Sequence, residues 1–207
     1  MKFNFSSVNN LTLFDNAVSA CFDDEGENKA IAKQDMLDHD PIAGSLICSD
    51  AYILDAPYTF SEKPIPFENV RISLEFQASK IGTLGAIRLK HGGCIELRGT
   101  NKVNIHLVTE KGEFTIDAIG EWNFCNKERS ILTLAKNGSQ LVIEHDGKKL
   151  EVEIPSNVSN GLEMTGILGE AHGTEAHVYS VEVEPWHTIH KNNILTNFNA
   201  EAEKALK

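Results

Sequence analysis

No apolar run in the chain approaches the roughly 20 residues that a helix needs to cross a bilayer, so nothing reads as a transmembrane span. Positive charge is scarce: 19 Lys and Arg stand against 30 Asp and Glu, a formal net charge of −11. Nucleic acids and anionic membranes need clustered cations to neutralise phosphate, so neither is an expected partner. None of the four cysteines (Cys21, Cys48, Cys94, Cys125) falls in a CxxC pair, which removes the usual structural zinc site. Their wide spacing and the length of the chain argue against a disulfide framework, and Cys48, Cys94 and Cys125 are expected to be buried free thiols. The G-x-S-x-G, P-loop and G-x-G-x-x-G signatures are missing, and with them the chemistries they serve. Internal repeats and low-complexity stretches are absent. The first residues, MKFNFSSVNNLTLF, lack the apolar core of a secretory signal. That leaves three expectations: a cytoplasmic chain, one exported without a cleaved signal, or a domain cut from something larger.

What is present is period-two alternation. In VRISLEFQA, Val70, Ile72, Leu74 and Phe76 fall on one face and Arg71, Ser73, Glu75 and Gln77 on the other, the pattern of a half-buried strand. Residues 84–90 and 94–98 flank His91-Gly92-Gly93 and read as a hairpin. Val103, Ile105 and Leu107 alternate with polar positions, and Phe114, Ile116 and Ala118 follow after Lys111-Gly112. Three runs, 130–135, 141–145 and 150–154, are separated by turns centred on Gly138 and on Asp146-Gly147. Asn-Gly and Asp-Gly supply the positive φ that tight hairpins require, so this segment reads as a meander. Residues 162–168 form a further strand. Residues 177–184 form the last, with a change of phase across Tyr179-Ser180 that marks a bulge.

About nine strands in residues 70–186, with turns between them and no helical periodicity, predict an all-β antiparallel two-sheet sandwich. Residues 1–69 read as an irregular acidic region that adds strands at 3–5, 11–14, 45–47 and 51–54, with one or two helical turns in 29–37. The expected organisation is one domain over 1–186, with its core in 45–186. A polar tail, 187–207, is a short helix or linker.

The succession VRISLEFQA, LGAIRL, CIELRG, GEWN, LVIEHDGKKLEVE and GLEMTGILGEAHGTEAHVYSVEVEPW resembles the concanavalin A-like, or laminin-G-like, jelly roll. The last pair of strands and the GEWN segment also resemble the bacterial keto-disaccharide hydrolase branch of that superfamily. The likeness covers roughly residues 45–186. It implies a jelly-roll fold and does not choose an activity, since fold and function separate in such superfolds. The function it implies first is a non-catalytic recognition or adhesion module for a glycan or protein surface. The alternatives are a carbohydrate-active enzyme of the keto-disaccharide hydrolase type and a structural assembly module of phage or capsid kind.

Candidate residues follow. Calcium is the cofactor the resemblance implies, and hard oxygen ligands are clustered at Asp35, Asp38 and Asp40. A sugar needs hydrogen-bonding side chains and an exposed aromatic for stacking. Arg88 and Arg98 lie on neighbouring predicted strands. With Glu96, Asn104 and His106 they form a polar floor if those strands face the concave sheet. His172, in a glycine-flanked loop, is a further contact residue. Glu113, Asp117 and Glu121 sit at even offsets but alternate with apolar residues, the pattern of a solvated face. The spacing of paired catalytic carboxylates is not found. Trp122 is expected in the core.

Overall fold

The computed structural model describes residues 2–5, 20–22, 28–30, 39–40, 42–48, 58–59 and 63–186. Two antiparallel sheets enclose one apolar core. The first sheet holds β1 (Lys2–Asn4), β4 (His39–Asp40), β5 (Ser45–Cys48), β8 (Val70–Lys80), β13 (Ser130–Asn137), β14 (Gln140–His145), β15 (Lys148–Glu153) and β18 (Glu175–Pro185). Its order is β15-β14-β13-β8-β18-β5-β4, with β1 also on β18. The second sheet holds β6 (Tyr58–Thr59), β7 (Ile65–Pro66), β9 (Thr83–Leu89), β10 (Cys94–Arg98), β11 (Lys102–Thr109), β12 (Gly112–Ile119), β16 (Glu163–Ile167) and β17 (Ala171–His172). Its order is β12-β11-β10-β9-β16-β6, with β17 on β9 and β7 on β16. A separate ribbon pairs β2 (Ala20–Phe22) with β3 (Asn28–Ala30), and one short helix, α1 (Ser156–Ser159), follows β15. This is the antiparallel jelly-roll sandwich that the alternation and the resemblance imply.

The alternation explains the layering. Along β8, burial reads strictly in and out, with Val70, Ile72, Leu74, Phe76 and Ala78 buried and their neighbours half-buried. Val103, Ile105 and Leu107 do the same from β11 in the second sheet. A one-residue slip would turn each set to water, so the pattern fixes the register. Ile116 points inward with Ile105 opposite yet stays 38% exposed, because β12 is an edge strand. Trp122 is buried as expected, stacks on Phe124, and its Nε1 donates to the Asn101 carbonyl at 2.8 Å.

The turns follow the sequence as well. Asp146 and Gly147 both take positive φ, 50° and 72°, the tight turn that matches strand twist. In β18, Val178 faces Phe76 and Ser180 faces Glu75, so Tyr179 is the extra residue of a bulge. One expectation fails: residues 29 and 30 lie in β3 and not in a helical turn, because Cys21 and Lys29 pair across a ribbon. The expected strands at 11–14 and 51–54, the rest of 31–37 and the tail lie outside the described residues. Cys48 and Cys94 are buried and free, whereas Cys125 is only half-buried. Burial raises the Cys48 thiol to about 12.

Candidate functional site

The ladder of the second sheet fixes which side chains share its outward face, because directly paired residues point the same way. Three rows result. Asp117, Asn104, Glu96 and Gly85 form one, and Thr115, His106, Cys94 and Arg88 the next. The third runs Ile119, Lys102, Arg98, Thr83 and His172, where β17 pairs with β9. The proposed floor residues Arg88, Glu96, Arg98, Asn104 and His106 therefore do share one face. His172 stands on that same face, two strands from Arg98, or about 10 Å at ordinary strand spacing.

Glu96 is the centre. It is 3% exposed although it faces away from the core. A buried carboxylate needs partners, and it has them. Arg98 Nη2 and Nε donate to Oε2 at 2.9 and 3.2 Å, and the Cys94 thiol donates to Oε1 at 3.1 Å. Burial, and then the bond to Glu96, push the Cys94 thiol up to about 12. Arg88 reaches Glu170 at 3.5 Å. On β11 and β12, Asn104 Nδ2 donates to Asp117 Oδ1 at 3.0 Å and Lys102 Nζ to Oδ2 at 3.2 Å. Those two bonds, Asn104 first, hold Asp117 below the usual carboxylate range. His106 Nδ1 lies 2.8 Å from Thr115 Oγ1.

The backbone is irregular beside this group. β10 pairs with β11, and β11 with β12, in unbroken register. Register shifts occur between β9 and β10 at Ile95/Glu96, and between β9 and β16 at Met164/Gly166. Leu168 adopts a φ of 52°, a costly conformation for a branched side chain. Bulges of this kind re-aim side chains and gather near functional sites. Gly85 permits the arrangement, since a Cβ there would meet the Glu170 amide at 2.9 Å. A Cβ on Gly169 would run into Arg88, whose Cγ is 2.6 Å from its position.

Three acidic floor residues, Asp117, Glu113 and Glu170, escaped sequence reasoning. Asp117 was assigned to a solvated face, and so it is, but that face is the floor itself, as is Glu113 opposite Val108. Glu121 lies beyond the strand. Glu170 sits next to Gly169, and only that glycine hinted at a close approach. No Trp, Tyr or Phe stands on the floor among the described residues. Trp122 is in the core, and Tyr179 is on the first sheet under the Arg129 guanidinium, 3.5 Å from its ring. The rings available on the floor are the imidazoles of His106 and His172.

Asp35 and Asp38 lie outside the described residues. The Asp40 carboxylate accepts the amides of Ile42 and Ala43, both at 2.9 Å, the work of a turn residue. Among the described residues no three His, Cys, Asp or Glu side chains gather to hold a metal, and no helix is long and apolar enough to cross a membrane.

No family model matches the chain, and no curated protein does. Solved structures do. Alginate lyase A1-II′, of polysaccharide lyase family 7, is 9% identical, covering 84% of this chain and 97% of its own, with a TM-score of 0.49. A structure from work on endo-acting O-glycanases of the human gut microbiota is 16% identical, covering 84% and 98%, at 0.48. The Caenorhabditis elegans galectin LEC-6 is 17% identical, covering 59% and 88%, at 0.37. At such identities and scores none of them carries an argument about what this chain binds or does.

Proposed function

We propose that the outward face of β9, β10, β11 and β12 is a glycan-recognition surface, and that the protein is a non-catalytic recognition or adhesion module. One observation carries this reading. A buried carboxylate, Glu96, anchors a half-exposed guanidinium, Arg98, in the middle of a polar face whose ladder shifts register beside it. Arg98 has five N–H donors, and Glu96 occupies two of them. The remaining donors, with the Asn104 carbonyl oxygen and the second nitrogen of His106, offer a rigid set of donors and acceptors at the spacing of neighbouring strands. Sugar hydroxyls both donate and accept, so they suit such a set. The side chains are held by each other before any ligand arrives, which lowers the ordering cost of binding. Calcium, with Asp35, Asp38 and Asp40 as its candidate ligands, enters only as a variable of the test.

The test is a glycan array probed with and without calcium, followed by titration of the hits with wild type, Arg98→Ala and Asn104→Ala. The expected result is binding that falls roughly tenfold or more in Arg98→Ala, the scale of a charge-assisted hydrogen bond, and falls less in Asn104→Ala. Hits incubated with the protein should be recovered intact by mass spectrometry. Binding that ignores both substitutions, or cleavage of the hits, overturns this reading.

A further inference from the structure

We infer that this face selects uncharged oligosaccharides and discriminates against uronate- or sulfate-bearing ones. The inference rests on the glycan reading above and names the ligand class for the same site. Three cations point outward from these strands, and each already holds a carboxylate. Arg98 has Glu96 at 2.9 Å, Lys102 has Asp117 at 3.2 Å, and Arg88 has Glu170 at 3.5 Å. Glu113 adds a fourth carboxylate, 3.6 Å from His106 Nδ1. The face therefore carries one more fixed negative charge than positive, on a chain whose formal net charge is −11.

An acidic sugar would have to displace a protein carboxylate from one of these cations or share the cation with it. Either way it would sit beside that carboxylate in a partly desolvated setting, where like charges are costly. A neutral sugar meets no such conflict. Its hydroxyls donate to Glu170, Asp117 or Glu113 and accept from the unused N–H groups of Arg98 and Arg88, leaving the ion pairs intact. Discrimination of this sort is a difference between two affinities, with the surplus carboxylate as its repulsive element. The pairs are also unevenly exposed. The Glu96 side chain is 4% exposed and the Asp117 side chain 46%, so Glu96 neutralises Arg98 from beneath while Asp117 and Glu170 guard the ligand side.

The experiment compares neutral oligosaccharides (gluco-, xylo-, manno- and galacto-series) with oligouronates and sulfated oligosaccharides of matched length. Array binding is followed by titration at low and moderate salt. Wild type should bind at least one neutral series at least about tenfold more tightly than any acidic series. In the double variant Asp117→Asn/Glu170→Gln, which frees Lys102 and Arg88, the acidic-to-neutral affinity ratio should rise about tenfold. That gain should shrink with salt, as screened charge does. Acidic binding equal to or tighter than neutral binding in wild type, with Arg98→Ala still weakening it, overturns the neutral selectivity and leaves the glycan reading standing. A ratio unmoved by the double variant also overturns it. Binding to neither class overturns both.

Discussion

Glu96 and Arg98 stand two residues apart on one strand and meet on its outward side, the carboxylate almost fully covered and the guanidinium half in water. Strand periodicity puts both on one face. The ladder around them, with Gly85 on one side and Asn104 on the other, leaves no larger neighbour to separate them. Removing Arg98 strands a buried carboxylate. A fully buried pair broken this way loses about 3–5 kcal/mol, but Arg98 is half exposed and its share is screened. Arg98→Ala should therefore cost about 1–2 kcal/mol in chemical denaturation. Glu96→Gln in that background should recover part of the loss. An Arg98→Ala variant as stable as wild type would show that Glu96 does not depend on it.

His145 gives a pH dependence of known sign. It is wholly buried, its Nε2 lies 2.9 Å from Ser130 Oγ, and Phe76 and Phe124 pack on its ring. Burial lowers its pKa below the ordinary 6.5, and the nearby Asp146 only partly opposes this. The unfolded chain then binds the proton more readily than the folded one. Stability is full above about pH 6.5 and declines as pH falls below it, by at most about 1.4 kcal/mol per pH unit from this group. Melting temperatures between pH 7.5 and 5 should fall with acid, and His145→Phe should flatten that fall. An unchanged profile in His145→Phe would place the acid sensitivity elsewhere.

The thiols should separate by reactivity. Cys48 and Cys94, both raised to about 12 and both buried, carry almost no thiolate at pH 8. Native alkylation followed by mass spectrometry should leave both unmodified while Cys125 reacts. Denaturation should expose all of them. Labelling of Cys94 in the native state would contradict the closed packing around Glu96.

Two glycines should respond differently to alanine. At Gly82 a Cβ meets the backbone carbonyls of His172 and Gly173. Gly82→Ala must shift β17 against β9 and should cost about 1–3 kcal/mol. At Gly169 the obstacle is the Arg88 side chain, which can swing away. Gly169→Ala should cost less than about 1 kcal/mol and should weaken glycan binding by loosening Arg88 from Glu170. Equal losses of stability would mean that Arg88 is as rigid as backbone.

Much of this architecture was legible because it is local. Val70 to Ala78 spell out a half-buried strand, Asp146-Gly147 spells out a tight turn, and the phase change at Tyr179-Ser180 locates the bulge in β18. The alternation of Arg88, Glu96, Arg98, Asn104 and His106 with apolar neighbours put each on the polar side of its own strand, and the pairing of β9, β10 and β11 brings the five to one face. What stayed hidden depends on distant chain. Glu96 is buried through partners on its own strand and the strands beside it. Glu170 reaches the floor because two glycines remote in sequence, Gly85 and Gly169, let backbone and side chain come close. Asp117 looked like an ordinary surface residue until β12 was paired with β11. Lys29 and Ala30 lie in a ribbon strand where a helical turn was expected, since their partners, Cys21 and Ala20, come from the strand upstream.

The most direct measurement is a backbone-amide chemical-shift titration of the full chain with an oligosaccharide selected from the array. The account predicts saturable shifts confined to β9, β10, β11, β12 and β17, largest near Glu96, Arg98 and Asn104, and abolished in Arg98→Ala. Shifts centred on the first sheet, or none at saturating oligosaccharide, would contradict it.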